Sequence, residues 1–292
     1  MTTAVNDSKG QRSALCWERV LRSNRQFRIS HLFAPDEFSG ALLALHALFA
    51  SIDQISTEVS EDLVARKKLD WWRLELSPDH IGRSRHPVIR HLGETGAATS
   101  FPPSALESLL DTAERRLDAQ PPSNIKEFNQ LCYLIYHPRM VLECALCGLD
   151  TAFVDDHKAV ACEGGLLQLL RESFVKAKPG YWWVPLNTLA RFEVTRRDLQ
   201  ENSDAPDGWA VFQHILEGSR EQLVSEEHGD QLKLDVLPGL LHLRLTALLQ
   251  RRQLHHLKSI KPSRYGAELN RWHISDLMAT WKLARQSKNN TA

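Results

Sequence analysis

Apolar residues recur along this chain at three- and four-residue steps, the spacing that puts side chains on one face of an α-helix. Leu42, Leu45, Phe49 and Ile52 form one such stripe. Leu63, Leu69, Trp72 and Leu76 form another, with Arg66, Lys67 and Asp70 on other faces. The same period predicts helices over 38–57, 102–118, 124–148, 154–177, 208–225, 237–257 and 264–286. No segment alternates with the period of two expected of a half-buried strand. Prolines fall mostly between the periodic stretches, among them Pro78, Pro87, Pro121, Pro185 and Pro262. Ser60, ahead of Glu61 and Asp62, offers a side-chain oxygen to the free N–H groups that open a helix. No fixed-period repeat is present, which argues against a helical solenoid. The joints at 93–104 and 200–208 are ordinary loops. One helical domain over 13–286 is therefore expected, with flexible ends at 1–12 and 287–292.

The chain has 292 residues, of which 42% are hydrophobic and 25% charged, the balance of a globular protein with a sizeable core. Lys plus Arg is 36 and Asp plus Glu is 36, with no basic stripe. That excludes a protein whose affinity comes from tracking nucleic-acid phosphates. No run reads as the roughly 20 apolar residues of a membrane span. The most apolar stretch, 38–52, is interrupted by Ser39, His46 and Ser51. The start is polar, without the apolar centre of a signal sequence. Five cysteines, an odd number, favour reduced thiols over a disulfide framework, and a cytoplasmic location is expected.

Several local patterns invite chemistry that their context does not support. Cys144 and Cys147 form a CxxC with no second pair, so small buried hydrophobes are expected. Thirteen histidines include no HExxH spacing, and His255-His256 reads as solvated. In Trp71-Trp72 and Trp182-Trp183, one ring of each pair is expected in the core; a partner surface is the competing reading. Gly164-Gly165 lies inside a helical pattern with no preceding strand, so it makes no phosphate cradle.

Four blocks, in order, resemble squalene and phytoene synthases. Ala47-Leu48-Phe49-Ala50-Ser51-Ile52-Asp53-Gln54-Ile55 is similar to that family's first acidic motif. Leu69-Asp70-Trp71-Trp72-Arg73, followed by His86-Pro87, is similar to its Leu-Trp-Arg and His-Pro stretch. Leu131-Cys132-Tyr133-Leu134, on to Cys147-Gly148, falls where the family has its Tyr-Cys-Tyr segment. Gly164 to Glu172, then Trp183-Val184-Pro185-Leu186, resembles the second acidic motif and the Tyr-Leu-Pro that follows it. The resemblance covers roughly 40–285 and implies an all-α, single-domain helical bundle of the isoprenoid (trans-prenyl diphosphate) synthase type with a central cavity. In the family, carboxylates on two facing helices hold Mg²⁺ against a departing diphosphate while two prenyl chains are joined head to head.

The carry-over fails at most of those carboxylates. Asp53 matches the leading aspartate, but Gln54 and Thr57 stand at the next two acidic positions, and Ala50 replaces the motif arginine. In the second motif Gln168 replaces asparagine, Arg171 matches, Glu172 stands for the first aspartate and Lys176 for the second. Only Asp53 and Glu172 remain as matching metal carboxylates, so no cofactor is expected; Mg²⁺ enters only if the chain is an active prenyltransferase with a rearranged site. Asp155, Asp156 and Glu163 are the nearby carboxylates available for such a rearrangement. Tyr136-His137-Pro138-Arg139 stands where relatives have small residues and is expected to fill or reshape the cavity. Each position also has a plain structural reading. Asp53 serves equally as a hydrogen-bonded boundary residue, and Glu172 with Lys176 as an i,i+4 ion pair. The resemblance extends to a non-catalytic branch of the family, a mitochondrial assembly factor for respiratory complex I that also lacks the acidic motifs. The resulting expectation is an inactive scaffold for a protein partner or an isoprenoid-like lipid, without nucleic acid or a transmembrane segment.

Overall fold

The computed structural model describes residues 2–59, 61–118, 120–150, 152–174, 183–226 and 241–289. Among these residues there are helices and turns but no strand. The helices are α1 (Thr2–Ser23), α2 (Phe27–His31), α3 (Asp36–Glu58), α4 (Asp62–Glu75), α5 (Pro87–Glu94), α6 (Pro103–Asp118), α7 (Ile125–Leu146), α8 (Ala152–Asp156), α9 (Lys158–Phe174), α10 (Leu186–Arg191), α11 (Arg196–Asn202), α12 (Pro206–Glu226), α13 (Leu241–Leu257), α14 (Tyr265–Leu269) and α15 (Ile274–Asn289).

The bundle is organised around α3, whose residues are buried without a break from Ala41 to Asp53. A helix that is apolar on every face belongs in a core, and α1, α4, α5, α6 and α7 surround this one. By length and composition α3 would also pass for a membrane span, which revises the expectation that no stretch comes close. Its most apolar window has a mean hydropathy of 1.4, and 78% of that window is buried inside the bundle. A second apolar cluster joins the start of α7 to α9, α12 and α14 through Phe128, Leu170, Phe212 and Tyr265.

Helices α7 and α9 pack closely, and Gly164-Gly165 makes this possible. A Cβ added to Gly165 would lie 2.0 Å from the Cys132 carbonyl oxygen, and one on Gly164 would lie 2.6 Å from the Tyr136 ring. α7 continues through Pro138. Proline has no N–H for the Leu134 carbonyl one turn earlier, and the Thr112 hydroxyl of α6 approaches that oxygen at 3.4 Å.

Several boundaries differ from the sequence expectations. The span 154–177 is divided into α8 and α9, and 264–286 is divided into α14 and α15 by residues 270–273. Residues 2–12 belong to α1, where Arg12 donates to both carboxylate oxygens of Glu94 at 2.8 and 2.9 Å. Leu63, placed in an apolar stripe from its spacing, is 67% exposed. Trp72 and Trp183 are buried while Trp71 is exposed, and Cys144 is a buried free thiol. Ser60, Lys176 and Trp182 lie outside the described residues.

Candidate active-site remnant

Asp53 lies near the end of α3 and Glu172 in the last turn of α9. Both are buried, at 5% and 4% exposure, although carboxylates almost never enter a core unpaired. The pairing comes from Arg116 of α6, itself 2% exposed. Its Nη1 donates to Asp53 Oδ1 at 3.0 Å, and its Nη2 donates to Glu172 Oε1. Arg139 of α7 donates through Nη2 to the same Asp53 oxygen at 2.5 Å. Glu172 also accepts from Gln168 Nε2 at 3.0 Å and from Trp183 Nε1 at 3.3 Å. The helices that carry the two acidic motifs therefore face one another, as the resemblance implies, and a guanidinium bridges them.

The remaining motif positions are used differently. Thr57 donates its hydroxyl back to the Asp53 carbonyl at 2.9 Å, within its own helix. Gln54 is half-buried on the same turn. Arg171 turns away from Glu172 and donates to Gln253 Oε1 at 3.2 Å. An ion pair of Glu172 with Lys176 was expected; Lys176 lies outside the described residues, and Arg116 supplies the charge opposite Glu172.

The electrostatics follow from this arrangement. Burial pushes the Asp53 carboxyl up, but the charges and hydrogen bonds of Arg139 and Arg116 outweigh it and hold the group below the usual aspartate value. For Glu172 burial dominates: Arg116 opposes it, Asp53 reinforces it, and the carboxyl sits above the usual glutamate value. Burial also lowers the Arg171 guanidinium to about 10. Three guanidiniums thus share this region with two carboxylates.

A cavity of about 50 Å³ opens beside Asp53, lined by His46, Phe49, Tyr136, Arg139 and Arg171 among others. At 10–15 Å³ per water, that is room for about three to five water molecules. Tyr136 and Arg139 come from the segment expected to fill this space, and their side chains form part of its wall.

The family's Mg²⁺ requires several oxygen ligands in near-octahedral array. The residues present do not fit that ion. Asp53 and Glu172 are tied to guanidiniums, the Thr57 hydroxyl is committed to its helix, and Arg116 spans the space between the two carboxylates. Of the other carboxylates named from the sequence, the Asp156 side chain lies outside the described residues and the two that are described do not replace the missing ones. Glu163 is paired with Arg251 at 2.9 Å, and Asp155 is exposed and accepts from the Tyr133 hydroxyl at 3.0 Å.

The family model for squalene/phytoene synthase matches residues 20–259. A sequence comparison with curated proteins finds no match. Among solved structures, a dehydrosqualene synthase crystallised with a ligand superposes with a TM-score of 0.75 at 15% identity, over 97% of this chain and 98% of that one. Squalene synthase HpnC from Alicyclobacillus acidocaldarius superposes with a TM-score of 0.66 at 18% identity, over 85% of this chain and 94% of that one. The helical order, the facing motif helices and the family match agree, and the chain belongs to the squalene/phytoene synthase family.

Proposed function

We propose that this member of the family does not ionise prenyl diphosphates and instead serves as a helical scaffold for protein interaction or assembly. The observation that carries this reading is the Asp53–Arg116–Glu172 bridge, with Arg139 on Asp53. Cations built into the fold stand where the family's chemistry needs removable ones. A permanently bound guanidinium neutralises the carboxylates, but it cannot coordinate and polarise a leaving diphosphate as a metal ion does. The small cavity favours an interaction role over enclosure of an isoprenoid-like lipid. Ile274, Met278 and Trp281 are well exposed at helical spacing on α15 and offer apolar surface to a partner. The alternative, a head-to-head prenyltransferase with a rearranged metal site, would need carboxylates that the described residues of this region do not offer.

The test is incubation of the full chain with farnesyl or geranylgeranyl diphosphate and Mg²⁺, followed by measurement of released diphosphate. No release above the protein-free rate is expected. Release that Asp53→Ala abolishes would overturn the proposal.

A further inference from the structure

A second buried polar cluster adjoins the cavity through His46. His46 of α3, Glu143 of α7 and His242 of α13 are 8%, 1% and 2% exposed. Their ligand-type atoms all lie within 4.8 Å of one another. His46 Nε2 stands 3.1 Å from Glu143 Oε1, and His242 Nε2 stands 3.8 Å from Glu143 Oε2. By strict geometry neither Glu143 oxygen, nor His46 Nε2, nor either His242 ring nitrogen makes a well-aligned hydrogen bond, although His46 stands within reach of Glu143 and the His242 ring lies against the Ser30 backbone. Leaving buried polar groups poorly aligned is destabilising, and more so for a charged group.

We propose that His46, Glu143 and His242 together bind a divalent transition-metal ion such as zinc. A metal–ligand bond of about 2.0–2.1 Å makes the edge of a tetrahedral site roughly 3.3 Å. The observed separations, 3.1 Å to Glu143 Oε1 and 3.8 Å to Glu143 Oε2, run to different oxygens of one carboxylate, so side-chain rotations that bring the ligand atoms closer than their present 4.8 Å limit are needed to place all three groups on one ion. Two imidazoles and one carboxylate suit zinc or iron(II), whereas Mg²⁺ and Ca²⁺ prefer all-oxygen sites. This centre therefore differs in kind from the family's diphosphate-binding metals and uses none of their motif positions.

The surroundings are consistent with a built site. The Phe27 ring covers the cluster, with its centroid 4.0 Å from the His46 ring and 5.7 Å from the His242 ring. Arg139, the neighbouring cation, is hydrogen-bonded to Asp53. His46 also lines the cavity, which gives a fourth ligand position access to water. A direct ion pair of His46 with Glu143 is the competing arrangement; it leaves the second Glu143 oxygen 3.8 Å from His242 Nε2, beyond hydrogen-bond length. Because the ligands come from three separate helices, the ion would clip α3, α7 and α13 together.

A second group of the same composition provides an internal control. His256 and His273 approach one oxygen of Glu268 at 3.5 and 3.2 Å, and Arg271 approaches the other at 3.6 Å. In that group the Glu268 carboxylate is buried but both histidines are partly exposed, and a guanidinium already faces the carboxylate.

The experiment uses the full chain without a polyhistidine tag, stripped with chelator and then reconstituted with Zn²⁺ or Co²⁺. Metal content is read by mass spectrometry, ligand type by the Co²⁺ visible spectrum, and folding by circular dichroism. One equivalent of Zn²⁺ per chain is expected, with a melting temperature above that of stripped protein and a Co²⁺ spectrum showing nitrogen ligation. Retention by the His256→Ala/His273→Ala variant and loss in Glu143→Gln, a shape-conserving change, support the site. A wild type that binds no metal after reconstitution overturns the proposal. So does metal that disappears in the double-histidine variant and persists in Glu143→Gln. If Glu143→Gln fails to fold, the wild-type stoichiometry and Co²⁺ spectrum decide, together with retention by the double-histidine variant.

Discussion

Replacing Arg116 with leucine removes the cation shared by Asp53 and Glu172 while keeping an apolar side chain in the α6 stripe. Asp53 retains Arg139, so the loss centres on Glu172, whose remaining donors are Gln168 and Trp183. Removing one partner of a buried ion pair costs about 3–5 kcal/mol, a large share of the roughly 5–15 kcal/mol that holds a typical domain together. The deficit depends on pH in a definite direction. Burial raises the Glu172 carboxyl while Arg116 lowers it, so Arg116→Leu raises it further. A carboxyl with its folded value above its unfolded value binds more protons in the folded state. Stability therefore falls as pH rises through that window, and the variant should recover part of its loss between pH 7 and pH 5. Glu172→Gln in the same chain removes the stranded charge and should restore part of the stability at pH 7. Urea unfolding of the wild type, both single variants and the double variant at the two pH values completes the cycle. A loss below about 1 kcal/mol for Arg116→Leu, or no rescue by Glu172→Gln, would refute the claim that this guanidinium neutralises the buried site.

Asp53→Asn should cost about 3–5 kcal/mol at pH 7 by taking the carboxylate from Arg139 and leaving Arg116 with Glu172 alone. Because arginines hold Asp53 below its usual value, its contribution is present above about pH 4 and is lost as pH falls through the folded value; acid unfolding curves of the variant should lack that component. Gly165→Ala should destabilise by about 1–3 kcal/mol in chemical unfolding, because its Cβ meets the Cys132 carbonyl at 2.0 Å and the obstacle is backbone. Burial raises Cys16 to about 11 and Cys144 and Cys147 to about 12, and it raises Cys132 as well. These four thiols should react slowly with a disulfide reagent at pH 8 in native protein and quickly after denaturation.

The helical class and most helix positions were legible because the apolar period is strong, and α3, α6, α7 and α12 lie close to their expected spans. The breaks at 157 and 270–273 were not legible, since the apolar pattern continues across them and tertiary packing decides where a helix stops. The facing of Asp53 and Glu172 came through the motif order. Arg116 was missed, although a signal was present. It falls in step with Leu106, Leu109 and Ala113 on the buried face of α6, where an arginine needs a buried anionic partner. Arg139 was noticed only as bulk. Its pairing with Asp53 joins α3 to α7, and such long-range pairing has no trace in local spacing. The grouping of His46, Glu143 and His242 is equally non-local, with one residue from each of three helices.

The most direct test of the central claim is calorimetric titration of the full chain with Mg²⁺ in the presence of inorganic diphosphate, beside Asp53→Asn. If Arg116 and Arg139 occupy the metal positions, the wild type should show no stoichiometric binding heat beyond that of Mg²⁺ with diphosphate alone and should match the variant. Saturable uptake of Mg²⁺ by the wild type that Asp53→Asn removes would show that the carboxylates still serve a metal and would contradict the account.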